Sequence, residues 1–349
     1  MEKAIIGSLF GSLVGDAVGL PMEGLSKRRQ HKMYPEIAGH HFLFGKGMLS
    51  DDTEHACMVA QALIASGGDK SLFAKDLAWR MRRWLLSVPA GIGFATLRSL
   101  CKLCLGFSAE KSGVFSAGNG PAMRSAIIGV CFGVDREKIK NLVRISTRIT
   151  HTDPKAEYGA MAVALAAHMS SRHEDDPLTY LEKLQDILDT DSKEFLILVD
   201  RAVSSAIGGH TTETFMSELG LTTGVTGYTY HTVPVVLHVW FRHPRDFSPA
   251  IIEAIRCGGD TDTVASIVGG IVGAAVGKQG IPDELISNLW EWPITPQWME
   301  SLGKTLFDVV TKGHSQDSPG IPYPAMLLRN LFFITIVLAH GFRRLLPPY

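Results

Sequence analysis

The stretch GSLFGSLVGDAVG at residues 7–19 places a glycine at every fourth position. A second stretch, GGIVGAAVG at residues 269–277, repeats that spacing at Gly269, Gly273 and Gly277. Residues four apart lie one above another on a helix, although each glycine costs a helix about 1 kcal/mol relative to alanine. Glycines gathered in one stripe therefore indicate two helices that each pack closely against a neighbour.

The remaining chain is also predicted to be helical, because apolar residues recur at helical spacing and strand-like alternation is hard to find. We predict helices at residues 54–66, 72–86, 120–130, 156–171 and 177–188. No polar segment is long enough to mark a domain linker. The sequence therefore predicts an all-α protein, with one compact helical domain at residues 1–324 and an apolar, basic helical tail at residues 325–349.

Composition excludes several classes of protein. The 349 residues include 34 Lys and Arg against 35 Asp and Glu, so the formal net charge is −1, which argues against a general nucleic-acid binder. The five cysteines do not form a disulfide framework, and Cys101 and Cys104 are predicted to be core residues of a helix. The apolar run 331–339 is shorter than the ~20 residues that cross a bilayer. We therefore expect a cytoplasmic protein without stable membrane insertion.

Two acidic clusters, SDDT at residues 50–53 and GGDTDT at residues 258–263, stand immediately before predicted helices. One interpretation is helix capping, and Asp51 and Glu54 have the spacing of a capping box. The other is a metal site, because carboxylate and hydroxyl oxygens are the ligands that Mg²⁺ and Mn²⁺ prefer. If the clusters meet in space, two ions about 3.5–4 Å apart would relieve the repulsion between their carboxylates.

Two further segments have the composition of a phosphate site. The loop SAGNGPAMR at residues 116–124 leads into a predicted helix, and its glycines allow the backbone to approach a ligand. An ordinary turn is the alternative interpretation. His151 precedes another predicted helix, where it could contact a phosphate or serve as a structural hydrogen-bond donor.

Taken together and in this order, five motifs resemble the ADP-ribosylglycohydrolase family, which includes the dinitrogenase reductase-activating glycohydrolases and the ADP-ribosylarginine and ADP-ribosylserine hydrolases. They are GDAVG at 15–19 with Glu23, SDDT at 50–53, GNGPAMR at 118–124, TH at 150–151 and GGDTDT at 258–263. The resemblance covers about residues 4–280. It implies a compact all-α bundle with a binuclear Mg²⁺ or Mn²⁺ centre in a cleft.

The resemblance also implies roles for individual residues. The metal ligands would be Ser50, Asp51, Asp52, Asp260, Asp262 and Thr263. The residues along the diphosphate of ADP-ribose would be Ser116, Gly118, Asn119, Gly120 and His151. Glu23 would lie near the scissile ribose. Two positions depart from the family pattern, since Ser50 stands where threonine is common and Asp153 where many relatives carry histidine.

The function that these expectations indicate is metal-dependent hydrolysis of the glycosidic bond between ADP-ribose and a modified acceptor, such as a protein side chain, with release of ADP-ribose. Either Asp52 or Glu23 could accept the proton of the attacking water. Two alternatives stay open. One is a non-catalytic family member that binds ADP-ribose or has a structural role, and the other is a two-metal hydrolase of a different nucleotide conjugate.

Overall fold

Helices form nearly all of the regular structure of this protein. The computed structural model describes residues 1–347, and these contain nineteen α-helices, four 3₁₀ helices (Leu20–Met22, Leu43–Gly45, Thr190–Ser192 and Lys278–Gly280) and no β-strand, which confirms the predicted all-α class. The α-helices are α1 Glu2–Gly19, α2 Lys27–Met33, α3 Asp51–Ser66, α4 Lys70–Leu86, α5 Phe94–Cys104, α6 Ala109–Ser112, α7 Gly120–Met123, α8 Ala126–Phe132, α9 Arg136–Arg148, α10 Pro154–Ser171, α11 Pro177–Ile187, α12 Lys193–Ile207, α13 Thr212–Glu218, α14 Thr229–Arg242, α15 Phe247–Arg256, α16 Thr261–Val276, α17 Asp283–Ser287, α18 Pro296–Lys312 and α19 Tyr323–Arg343.

The two glycine-bearing helices, α1 and α16, pack against each other at the centre of the protein. They run antiparallel, because Gly7 faces Gly273 and Gly11 faces Gly269. A Cβ atom built on either glycine of α1 would collide with a backbone carbonyl oxygen of α16. The predicted close helix–helix packing is thus confirmed, and the absence of side chains at these positions is what permits it.

The core surrounds this pair. Every residue of α1 from Ala4 to Gly19 is buried, as expected for a helix that is apolar on all sides. The layer that packs around α1 and α16 consists of helices α3, α8, α10, α14, α15 and α18. The antiparallel arrangement brings the C-terminal end of α1 next to the N-terminal end of α16, where Thr261 Oγ1 donates a hydrogen bond to Gly19 O at 2.9 Å.

The predicted helix at residues 120–130 is broken in the structure. Helix α7 ends at Met123 and α8 begins at Ala126, with Arg124 and Ser125 between them. Arg124 is fully buried, and its guanidinium donates to Ser146 O and Thr150 Oγ1 at 2.8 and 2.6 Å. The apolar periodicity did not reveal this break, because it depends on a buried arginine that is anchored by residues more than twenty positions away.

The predicted core role of two cysteines is wrong. Cys101 and Cys104 do lie in a helix, α5, but both are exposed free thiols.

The predicted helical tail at residues 325–349 corresponds to α19, Tyr323–Arg343, which contains the apolar run 331–339; residues 348 and 349 of the predicted tail lie outside the described residues. Within residues 1–347, two segments have the length and composition to cross a membrane: Glu2–Met22, which is completely buried in the protein, and Tyr323–Arg343, which is 28% buried. The second is α19, and the buried side chains of Arg329 and Asn330 dock it on the rest of the protein.

The glycine contact predicts a specific stability difference. Gly11→Ala should lower the free energy of unfolding by at least about 2 kcal/mol, because the new methyl group overpacks the backbone contact with α16. Gly341→Ala is the matched control, since it also lies in a helix but a Cβ there meets open space. That variant should be unchanged or stabilised by up to about 1 kcal/mol. Urea denaturation would measure both, and similar values would contradict the packing interpretation.

Candidate active site

Three helix ends meet at one cleft of about 560 Å³. These are the C-terminal end of α1, the N-terminal end of α3 and the N-terminal end of α16. Every residue that the sequence singled out for the site lines this cleft: Glu23, Ser50, Asp51, Asp52, Ser116, Gly118, Asn119, Gly120, His151, Asp260, Asp262 and Thr263. The structure therefore brings together residues that are up to 240 positions apart in the chain.

Asp16 connects α1 to the start of α3. Its Oδ2 atom accepts hydrogen bonds from Ser50 N at 2.9 Å, from Thr53 N at 3.2 Å and from Thr53 Oγ1 at 2.5 Å. Its Oδ1 atom is buried and has no hydrogen-bond partner. Burial raises the pKa of this carboxyl group to about 6. Asp16 thus fixes the SDDT segment and still has one oxygen atom available.

The carboxylates form two adjoining groups of three. Asp16, Asp52 and Asp262 offer oxygen atoms within 4.8 Å of one another, and so do Glu23, Asp260 and Asp262. Asp262 belongs to both groups. Burial, reinforced by the neighbouring acids, raises the pKa values of Asp52 and Asp262 well above the usual range for aspartate. Such a set of buried carboxylates is costly unless a cation or a proton neutralises it.

The hydroxyl groups of the two acidic motifs converge on Asp52. Ser50 Oγ and Thr263 Oγ1 both donate to Asp52 Oδ2, at 3.3 and 3.0 Å, whereas Asp52 Oδ1 is buried without a partner. An unpartnered buried carboxylate oxygen, surrounded by other hard oxygen atoms, is what a site for Mg²⁺ or Mn²⁺ requires. The residues present therefore fit a divalent cation. Asp51 also lines the cleft but belongs to neither group of three.

Helix capping explains only part of the acidic motifs. Ser50 is the N-cap of α3, and its Oγ accepts a hydrogen bond from Asp52 N at 3.2 Å. The expected capping box between Asp51 and Glu54 is not present, because the Glu54 carboxylate is bound instead by Trp84 Nε1 and Arg329 Nη1. Asp260 is the N-cap of α16, but its side chain makes no capping hydrogen bond. Most of these carboxylates therefore do not act as N-terminal helix caps.

The loop with the sequence GNG adjoins the second acidic motif. Asn119 Nδ2 donates to Asp260 Oδ2 at 2.7 Å and to Thr232 Oγ1 at 3.0 Å. Its backbone N–H donates to Gly227 O at 2.9 Å, and Thr229 Oγ1 donates to Gly118 O at 2.8 Å. The start of α14 thus holds this loop beside Asp260.

His151 lies directly beneath the same loop. A Cβ atom on Gly118 would lie 2.8 Å from His151 Nε2, so that position requires a glycine. Burial lowers the pKa of His151 to about 3, and the imidazole is therefore neutral at physiological pH. Its Nδ1 atom is 2.8 Å from Thr150 Oγ1, which also accepts a hydrogen bond from the buried guanidinium of Arg124.

Sequence reasoning assigned no role to four residues that hold the site together, although the first two stand within the GDAVG and GNGPAMR motifs: Asp16, Arg124, Arg329 and Arg344. Arg329 lies in α19 and Arg344 immediately follows that helix, and α19 also contributes Phe333 and Val337 to the cleft wall. One signal could have revealed this role, because Arg329 is the single charged residue of the segment 325–339. A lone charge in an apolar helix indicates a buried partner.

Comparison with known proteins places these features in one family. The profile described as ADP-ribosylglycohydrolase matches residues 1–316. The chain is 27% identical to the ADP-ribosylhydrolase ARH3 of Gallus gallus, over 79% of this chain and 86% of that protein. It is 24% identical to the ADP-ribosyl-[dinitrogen reductase] glycohydrolase of Rhodospirillum rubrum, over 81% and 89% of the two chains. A solved structure titled ADP-ribosylglycohydrolase-related protein complex superposes with a TM-score of 0.64 and 25% identity, over 88% of this chain and 98% of that one.

The carboxylate cluster predicts how stability depends on pH when metal is removed with EDTA. An acid whose pKa is raised on folding stabilises the fold below its unfolded pKa, and this contribution is lost as pH rises through the folded pKa. Wild-type protein should therefore lose stability relative to Asp262→Asn as pH rises above about 4, the usual pKa of aspartate, by roughly 1.4 kcal/mol per pH unit for as long as Asp262 stays protonated in the folded protein.

The control variant is Glu182→Gln, which changes an exposed acid. Urea denaturation at several pH values would show a difference from wild type that grows with pH only for Asp262→Asn. Adding Mg²⁺ or Mn²⁺ should stabilise the wild type more than Asp262→Asn. A constant difference across this pH range would contradict the electrostatic account.

Proposed function

The chain belongs to the ADP-ribosylglycohydrolase family and is a glycohydrolase, and from that premise we propose that it releases ADP-ribose from a modified acceptor with the help of divalent metal ions in the acidic cleft. The observation that carries this proposal is the position of Asp262, which belongs to both groups of three carboxylates. A residue shared in this way suits a pair of adjacent ions, which would be Mg²⁺ or Mn²⁺.

The metal ligands that we propose come from both acidic motifs: Ser50, Asp51, Asp52, Asp260, Asp262 and Thr263. The free Oδ1 atom of Asp16 and the carboxylate of Glu23 lie close enough to take part. Ions bound there would neutralise the buried carboxylates and lower the pKa of a bound water toward neutrality. The same ions would also bind the hydroxyl groups of the ribose and hold the sugar in place.

Proton transfer is assigned to Glu23 rather than to Asp52. Asp52 is only 2% exposed, and its Oδ2 atom already accepts two hydroxyl donors. Glu23 lies at the edge of the cleft, where the residue is open to solvent but its carboxyl group lies among the other acids. Partial burial of this carboxyl group and the nearby Asp260 raise its pKa above the usual value for glutamate, toward the range that suits a general base or acid at neutral pH.

The diphosphate of ADP-ribose is assigned to the loop formed by Ser116, Gly118, Asn119 and Gly120, with His151 beneath it. Asn119 joins this loop to Asp260, so a ligand held by the loop is positioned relative to the carboxylates. Binding energy gained at the diphosphate, away from the bond that breaks, can then hold the anomeric carbon in place for attack. The reaction passes through an oxocarbenium-like transition state.

The acceptor that we propose is a protein side chain. The name of the Rhodospirillum rubrum relative specifies an ADP-ribosylated protein, dinitrogen reductase, as its substrate. The name of the Gallus gallus relative specifies ADP-ribosyl hydrolysis without naming an acceptor.

The test is release of ADP-ribose from a pool of ADP-ribosylated proteins, with and without Mg²⁺ or Mn²⁺. Asp260→Asn should reduce release by about 100-fold or more, which is the scale expected when a preorganised electrostatic group is lost. Because Asn keeps the shape of the side chain, the fold should be retained, and circular dichroism would verify this.

Glu182→Gln serves again as the control and should keep the wild-type rate. Release that is independent of metal, or an Asp260→Asn variant with normal turnover, would overturn the metal assignment. Binding of ADP-ribose in a calorimeter without any release would identify a non-catalytic protein. Release of phosphate and nucleotide instead of ADP-ribose would identify a hydrolase of another nucleotide conjugate.

A further inference from the structure

Helix α19, which lies beyond residue 316 where the family match ends, is apolar on the side that faces solvent. Its exposed apolar side chains recur at helical spacing, so they lie on one face. These side chains are 44–67% exposed and belong to Leu328, Leu331, Phe332, Leu338 and Phe342. The exposed residues Thr335 and Ala339 lie among them on that face and are uncharged. We call this surface the outer face of α19.

The polar side chains of α19 lie on its opposite, buried side. The Arg329 guanidinium pairs with Glu54 at 3.1 Å and with Glu291 at 2.5 Å. Asn330 Nδ2 donates a hydrogen bond to Ser87 O at 2.9 Å. A helix on the surface of a water-soluble protein usually has the reverse arrangement, with its charged residues facing water. The outer face therefore has the chemistry of a surface that binds an apolar partner.

These buried contacts hold α19 on the protein. Arg329 Nη2 also donates to Leu49 O at 2.6 Å, and at the other end of the helix His340 Nε2 lies 2.9 Å from Pro21 O. If α19 crossed a bilayer, Glu54 and Glu291 would lose the buried cation that balances them, which is costly. The outer face can therefore meet a partner only while α19 lies along the protein surface.

The charge at the C-terminal end of the outer face is positive. The sequence contains no acidic residue after Asp317, whereas Arg343 and Arg344 follow Phe342 directly. Arg343 is exposed. Arg344 Nη2 donates to Pro21 O at 2.7 Å, which fixes the chain at this end. The apolar face is thus continuous with basic side chains.

A second basic segment adjoins the same end of α19. Helix α2 contains four Lys and Arg residues and no acid. Tyr34, which follows α2, has its hydroxyl group 3.3 Å from His340 Nε2. The net charge of the whole chain is only −1, so this concentration of positive charge is local. Clustered basic residues beside an apolar helix face favour an anionic lipid surface.

Two exposed tryptophans lie beside the outer face. Trp290 packs edge-on against Phe332, with the ring centroids 5.6 Å apart. Trp292 is also exposed, and it is held near α19 because the intervening Glu291 pairs with Arg329. Tryptophan side chains are enriched where a membrane meets water, since one part of the ring is apolar and the other can donate a hydrogen bond.

The charge also decides between a lipid surface and a second copy of this chain. If two copies packed their outer faces in antiparallel orientation, each Arg343 would lie beside the partially positive N-terminal end of the other helix. In parallel orientation, the two arginines would face each other. We propose that the outer face of α19 binds the surface of an anionic lipid bilayer, with Leu338 and Phe342 among the acyl chains and Arg343 at the headgroups.

This attachment goes beyond the reaction proposed for the cleft and does not depend on it. The residues that α19 contributes to the cleft are Phe333 and Val337, and neither belongs to the outer face. Binding to lipid through the outer face therefore uses none of the side chains that line the cleft.

The first experiment measures how much protein sediments with lipid vesicles. One set contains equal parts of phosphatidylcholine and phosphatidylglycerol, and the other contains phosphatidylcholine alone. The wild type should bind the anionic vesicles at least about fivefold more tightly, and added salt should weaken that binding. Arg343→Gln should weaken binding to the anionic vesicles by about fivefold and leave binding to phosphatidylcholine unchanged.

The second experiment compares Leu338→Asp with Leu178→Asp. Leu338 in α19 is 56% exposed and Leu178 in α11 is 55% exposed, and both variants add one negative charge. Leu338→Asp should weaken vesicle binding by about tenfold or more, because the apolar side chain that enters the lipid is lost. Leu178→Asp should change binding by less than about twofold. Circular dichroism would verify that both variants fold.

Three outcomes would overturn the proposal. The first is a wild type that sediments with neither kind of vesicle, or equally with both. The second is an equal loss of binding in Leu338→Asp and Leu178→Asp. The third is a wild-type dimer in analytical ultracentrifugation that Leu338→Asp dissociates, which would assign the outer face to a second copy. Release of ADP-ribose without vesicles should be the same in the wild type and Leu338→Asp, so the reaction is tested separately.

Discussion

The site depends on one contact, the backbone-to-backbone approach of α1 and α16. Glycines at Gly7, Gly11, Gly269 and Gly273 remove the side chains that would separate the two helices. Because the helices run antiparallel, the end of α1 that carries Asp16 meets the end of α16 that carries Asp262. Side chains at these glycines would increase the distance between the two helices and with it the distance between their carboxylates. The position of the carboxylates proposed as metal ligands is therefore a consequence of how closely two helices pack.

Two clusters of buried charge adjoin the SDDT segment, and their charges are balanced differently. Arg329 pairs with Glu54 and Glu291, so that cluster contains its own cation. In the cleft, burial and neighbouring acids raise the pKa values of Asp51, Asp52 and Asp262 well above the usual range. Burial also raises the pKa of Glu54, to about 7, but Glu54 has Arg329 as its partner, whereas the acids of the cleft adjoin one another. The first cluster therefore suits a structural role and the second a binding role.

Sequence patterns identified the residues that line the cleft, but they did not identify the contacts that hold those residues in place. Helical periodicity gave the all-α class, and the motifs selected twelve residues that all line one cleft. The role of Asp16 depends on hydrogen bonds to Ser50 and Thr53, more than thirty positions away in the chain. The break between α7 and α8 depends on the burial of Arg124. The place where α19 docks is likewise not encoded in its periodicity, which specifies an apolar face but not the surface that covers it.

The separation of α1 and α16 along the chain affects how the protein is made. Gly19 and Thr261, which are hydrogen-bonded in the fold, are 242 positions apart. A ribosome adds about 5–20 residues per second, so α1 waits roughly 12–50 s before α16 has been synthesised. During that time α3 and α8 can cover only part of α1, and the face that packs on α16 lacks its native partner. The contact that builds the cleft thus leaves one apolar face of the nascent chain uncovered until α16 has been made.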